Sequence, residues 1–205
     1  RFANQPELVE SLLPQESSST DTEFTLDQVI EDRFQRLVAY QSAGYAQRYL
    51  DQIEKVRSVD RDPEAGDSLT HTVAQQLFKR MAYKDEYEVA RLHSDDAFLT
   101  KLDAQFTGNY SIRFHLAPPL LSKANPNTGK VKKYEFGPWL MPVFRILAKL
   151  KWLRGTRWDV FALTSERRQE REDLVRYQVD LAEVCDRLAP DNYRAAQQLM
   201  NLPEK

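Results

Sequence analysis

The sequence predicts a mainly α-helical (α+β) domain whose β content is a small hairpin around residues 110–136. Apolar residues recur every three to four positions through most of residues 25–105 and 139–201, the spacing of a buried helical stripe. Only at Tyr110–Leu116 does the period fall to two, with Tyr110, Ile112, Phe114 and Leu116 alternating with Ser111, Arg113 and His115. Punctuation separates these stretches at Pro63, Gly108, Gly137-Pro138, Gly155 and Pro190.

Residues 1–24 form a tether by this reading, because Pro14–Thr20 is polar and aperiodic, and residues 25–205 form one domain. The absence of an initiating Met is expected of a chain cut from, or covering part of, a longer polypeptide, and equally of N-terminal processing or tag removal. Thr25 and Gln28 make a capping-box pattern at the start of the first helix. Leu26, Ile30, Phe34, Leu37, Tyr45, Tyr49, Ile53 and Val56 then mark one long helix, with Gly44 as its point of bending or breakage. A second helix is expected over about 68–93, with Val73, Leu77 and Met81 on one row and Phe78, Ala82, Val89 and Leu92 on the next. Ser94-Asp95-Asp96 reads as a fresh N-terminus, followed by a buried face of Phe98, Leu99 and Leu102.

The first strand runs from Tyr110 and is halted by Ala117-Pro118-Pro119, since proline supplies no ladder donor. Asn125–Gly129 is the turn and Val131–Phe136 the returning strand. Helical spacing resumes over about 139–153 and stops at Gly155. A long helix is expected over about 164–188, and after Pro190 a final one capped by Asp191 and running to about Asn201.

Composition removes several function classes. A net charge of -2 over 205 residues gives no global field for nucleic acid or an anionic membrane. The longest apolar stretches, such as Leu116–Leu121, are far below the ~20 residues of a membrane helix. Cys185 is the only thiol, so there is neither an internal disulfide nor the usual four ligands of an iron–sulfur cluster, and a reducing, cytoplasmic setting is expected. Among Leu181, Val184 and Leu188, it reads as an inert buried thiol. No dinucleotide or phosphate loop can be written with six scattered glycines, and no zinc-protease or nucleophile-elbow motif occurs. His71, His93 and His115 are too far apart in sequence to favour a metal and read as structural. No catalytic, cofactor-binding or metal-binding residue is therefore assigned.

Two clusters stand out. Lys84, Asp85, Glu86, Glu88 and Arg91 crowd the second predicted helix, where Asp85 falls in the apolar row of Phe78, Ala82, Val89 and Leu92. They form either an acid/base cluster or an ion network that anchors the helix. The network is the simpler reading, because Arg91 lies within reach of Glu88. The second cluster is Lys130, Lys132, Lys133, Arg145, Lys149, Lys151, Arg154 and Arg157. These eight cations face one acid, Glu135, giving a local charge of +7, interleaved with Trp139, Trp152 and Trp158. They form either a docking face for an acidic protein, a phosphate-bearing ligand or nucleic acid, or a solvated surface over core tryptophans.

The same stretches carry a resemblance. Leu77–Leu92, containing Met81-Ala82-Tyr83-Lys84-Asp85-Glu86-Tyr87-Glu88, resembles a segment near the C-terminal end of fused indolepyruvate ferredoxin oxidoreductases. Phe114–Leu121, Phe136–Trp139, Leu153–Thr156 and Thr164–Arg168 are similar to that family in the same order, as is the helix over Asp27–Tyr49. The chain departs at Asp159–Thr164, where the family usually reads Asp-Pro-Phe-Gly-Tyr-Thr, and it stops at Lys205 where the family continues. The resemblance implies a parent enzyme that decarboxylates an aryl 2-oxo acid oxidatively, using thiamine diphosphate, Mg and iron–sulfur clusters. It also implies that this chain holds none of those groups and is an accessory segment. Its partners would be other domains of the parent, with ferredoxin or coenzyme A as further candidates, and with nucleic acid and membrane disfavoured.

Overall fold

The computed structural model describes residues 24–202 apart from 63, 66, 67, 107, 109 and 117–132. The tether before Phe24, the Ala117-Pro118-Pro119 stop, the Asn125–Gly129 turn, Lys130 and Lys132 lie outside the described residues. The domain is mainly α with one two-stranded sheet, as expected.

Helix α1 (Leu26–Tyr40) opens with the anticipated capping box: Thr25 Oγ1 accepts from Gln28 N, and Gln28 Oε1 accepts from Thr25 N. The expected single long helix is two. It breaks at Gln41-Ser42, and the Ser42 hydroxyl takes the Tyr45 amide to start α2 (Ala43–Val59). Gly44 lies inside the first turn of α2 rather than at the break. A serine hydroxyl offers the backbone a competing acceptor, which an open glycine does not.

The second predicted helix also divides. α3 (Leu69–Met81) ends, residues 82–85 cross over, and α4 (Glu86–His93) begins with Asp85 Oδ1 accepting from Glu88 N at 2.8 Å. Asp85 is therefore an N-cap and does not interrupt an apolar row. α5 (Asp96–Gln105) starts within the predicted Ser94-Asp95-Asp96 signal, with Asp95 as its cap, yet it buries no residue fully, and Phe98 stays 41% exposed. Its apolar side faces an open groove instead of a core.

Strands β1 (Phe114–Leu116) and β2 (Tyr134–Phe136) pair antiparallel, with His115 opposite Glu135. Among the described residues, 110–113 stay outside the pairing, so the first strand starts later than the periodicity implied. α6 (Leu140–Lys149) then tightens into a 3-10 turn over Leu150–Leu153, and Gly155 leaves it at φ 74°, the left-handed stop expected there. A second 3-10 turn, Val160–Leu163, has no counterpart in the apolar spacing. α7 (Ser165–Arg187) is capped by Thr164.

α8 (Tyr193–Met200) is not capped by Asp191. Asn192 precedes it and turns its amide back on α7, accepting from Ala189 N and donating to Arg187 O. That closes the preceding helix, whose free carbonyls needed a donor.

Helices α1, α2, α3, α7 and α8 pack as a bundle around Leu37, Tyr49, Val56, Val73, Leu77 and Leu181. Buried tyrosines serve that core twice, with rings among the apolar residues and hydroxyls on main-chain oxygens. Tyr45 donates to Met81 O, Tyr49 to Ala74 O, Tyr40 to Tyr83 O and Tyr177 to Met200 O. A smaller core of Ala90, Phe114, Leu140 and Phe144 joins α4, the hairpin and α6 into a lobe beside the bundle.

Candidate functional site

The two sequence clusters meet in space, a pairing that their separate readings did not anticipate. The Arg154 guanidinium closes on both oxygens of Asp85, with Nη2 to Oδ1 at 2.8 Å, and each side chain is only 3% exposed. Its Nη1 donates to Tyr40 O at 2.6 Å, and its Cζ lies 3.6 Å from the Tyr40 ring centroid. Lys151 Nζ donates to Ala39 O at 2.6 Å. Both cations thus cap the C-terminus of α1, where unpaired carbonyls and the negative helix end require charge of this sign. Burial opposes the charge on Arg154 most strongly of any single cause, but the hydrogen bonds to Asp85 and the surrounding negative charge together raise the guanidinium pKa. For Lys151, burial and then the Arg91 and Arg154 cations lower the ammonium pKa.

Asp159 completes the anchor. It accepts from Gly155 N, Phe161 N and the Tyr87 hydroxyl, and so ties the turn after α6 to α4. Burial first, then the Asp159 carboxylate, pushes the Tyr87 phenol up. The carboxylates of Asp85 and Asp159 are fully engaged with donors, the arrangement of a brace rather than of an acid or base awaiting a proton.

The first cluster otherwise resolves as follows. Glu88 and Arg91 form the expected bidentate i,i+3 pair at 2.7 and 2.8 Å. Glu86 pairs with Arg167 of α7 at 3.5 Å rather than within its own helix, and burial raises its carboxyl pKa. Lys84 is exposed and makes no ion pair among the described residues. Only part of the predicted local network is local.

The second cluster divides by direction. Lys133, Arg145, Lys149 and Arg157 are exposed, while Lys151 and Arg154 turn inward. Core tryptophans were the alternative, yet Trp139, Trp152 and Trp158 are 62%, 62% and 66% exposed. On α6, Leu140 and Phe144 enter the lobe core while Val143 and Ile146 are exposed, so the apolar arc of the helix runs on past the core into solvent.

Two further features escaped the sequence. His93 lies within 5.5 to 6.2 Å of the rings of Phe98, Phe114 and Phe144, and burial lowers its pKa, with Lys84 adding to the shift. Beside it is an open groove of about 350 Å³ lined by Phe98, Leu102, Phe106, Tyr110 and Phe114. The exposed aromatic spacing was the available signal. Cys185 is half-buried, and burial raises its thiol pKa, so it is less enclosed than expected.

An iron–sulfur cluster needs about four thiolates and the chain has one. The two most buried carboxylates described above are already consumed by Arg154, Tyr87 and main-chain amides. Among the described residues, no helix is long and apolar enough to cross a membrane. Neither a curated protein nor a solved structure matches the chain. A family profile does match, over residues 26–205, the whole of the helical domain; the chain belongs to a family of unknown function (DUF6537).

Proposed function

We propose that this domain is a non-catalytic accessory segment of a larger, cytoplasmic 2-oxoacid oxidoreductase of the indolepyruvate ferredoxin oxidoreductase kind. It supports the catalytic domains and leaves thiamine diphosphate, Mg and the iron–sulfur clusters to them. The ordered motif resemblance supplies the parent. The supporting observation in the fold is α6, apolar toward its own core and apolar again toward solvent at Trp139, Val143 and Ile146. An apolar row left open to solvent in this way marks a surface for contact with a neighbouring domain.

The motif residues are consistent with support rather than chemistry, since Asp85, Glu88 and Arg91 are spent on a cap and on ion pairs. Calorimetric titration of the isolated chain with thiamine diphosphate and Mg should give no heat of binding. Micromolar affinity would contradict the division of labour.

The competing reading is a stand-alone binding or regulatory module using the basic face for an acidic protein, a phosphate ligand or nucleic acid. For nucleic acid it is weakened by the withdrawal of Lys151 and Arg154 into the anchor, because backbone binding scales with the number of free cations. A salt-dependent shift with short oligonucleotides would favour it over the accessory role.

A further inference from the structure

We infer that the outer face of α6 seats a second amphipathic helix, supplied by a neighbouring domain, whose apolar stripe is flanked on one side by carboxylates. The inference rests on the accessory reading and names the chemistry of the partner. At 100° per residue, Trp139, Val143 and Ile146 fall within about 60° of one another around the α6 axis. Their i, i+4, i+7 spacing is the row one helix offers another. Exposures of 62%, 38% and 60% leave that row open to solvent, whereas Leu140 and Phe144 next to it are buried. A contiguous apolar row of this kind differs from the scattered exposed residues of an ordinary surface.

Charge sets the partner. From Phe136 to Trp158 there is no Asp or Glu. Of the five cations in that stretch, Lys151 and Arg154 are turned inward to cap α1. Of the three that remain, Arg157 lies beyond α6 over the Trp158 ring, and Arg145 and Lys149 stand one helical turn apart along a single flank of the row. That is the position from which charges at a helix–helix seam choose partner and orientation. On the hairpin side Trp139 leans edge-on against Phe136, with centroids 6.0 Å apart, so that flank is occupied by the lobe itself. The carboxylates of the incoming helix therefore meet Arg145 and Lys149. A lipid surface fits less well, because α6 has only ten residues and the chain as a whole carries -2.

Two synthetic peptides with the same Leu/Ile row, one bearing Glu and the other Lys at the flanking positions, are titrated into the 205-residue chain with tryptophan fluorescence as the readout. The Glu peptide should bind roughly tenfold or more tightly than the Lys peptide. Val143→Ser with Ile146→Ser should weaken it at least about tenfold without altering the thermal melt of the chain. Arg145→Glu with Lys149→Glu should invert the preference between the peptides. Equal affinity for both peptides, or indifference to the serine substitutions, overturns the inference. So does equally strong binding to phosphatidylserine vesicles that the same substitutions abolish. Failure of peptide binding while thiamine diphosphate also fails to bind removes the seat and leaves the accessory role. Micromolar thiamine diphosphate binding removes the accessory role, whatever the peptides do.

Discussion

Around Leu77 the five bundle helices bury eighteen apolar residues among those described, whereas around Phe144 the lobe buries four. The two regions also differ in how they treat what remains exposed. Ten of the sixteen large exposed hydrophobics lie between Leu92 and Val160, on or near the smaller region. The bundle completes its own core and ties its buried phenols to main-chain oxygens. The lobe, with fewer residues inside, leaves the α6 row and the groove beside α5 uncovered. Size and closure go together here, because a small core buries too little apolar surface to offset the entropy of ordering the chain around it. The lobe meets the bundle at Arg154 and Lys151, which cap α1, while Asp159 braces the turn that carries Arg154, a polar joint where the bundle uses packing.

The sharpest way to break the comparison is at that joint. Arg154→Met should cost about 3–5 kcal/mol in urea unfolding, because Asp85 is left buried and uncompensated. The double variant with Asp85→Leu should recover much of the loss. If the single variant melts like the wild type, the buried pair does not stabilise the joint.

Next come truncations on either side. Leu77→Ala should lower global stability by about 2–5 kcal/mol, since it empties the larger core. Phe144→Ala should instead open α4 and the hairpin locally, with bundle amides still protected in hydrogen exchange. Uniform loss of protection in both variants would show one cooperative unit.

A smaller effect comes from His93. Its folded pKa lies below the unfolded value of about 6.5, so the unfolded chain takes up the proton first as pH falls. Stability should be full above that value, decline as pH drops through the window between the two pKa values, and level off below it. The slope should not exceed about 1.4 kcal/mol per pH unit, and His93→Phe should flatten this component of the profile. The smallest expected change is Ile146→Ser in the isolated chain, within about 0.5 kcal/mol, because the side chain has little to lose there.

Local chemistry was legible without the fold. The capping box at Thr25, the Asp95 cap, the stop at Gly155 and the existence of the hairpin each depend on residues a few positions apart. So does Glu88–Arg91. The break before α4 carried a readable sign as well, since Asp85 followed three residues later by Glu88 is an N-terminus pattern. The apolar row running through it concealed that sign. Arg154 offered no such clue: its carboxylate partner is 69 positions away, and the α1 carbonyl it caps is 114 away. Nothing in the spacing of a basic stretch separates a cation aimed at solvent from one folded beneath it.

The amino-acid sequence by itself determined the helical class, most element ends and the lack of cofactor-binding motifs, because propensity, capping and periodicity act over a turn or two of chain. Which charges face inward, which tryptophans remain outside and how the lobe joins the bundle were decided by the tertiary structure. Those outcomes depend on desolvation, and a side chain is desolvated only by what the rest of the chain brings to it.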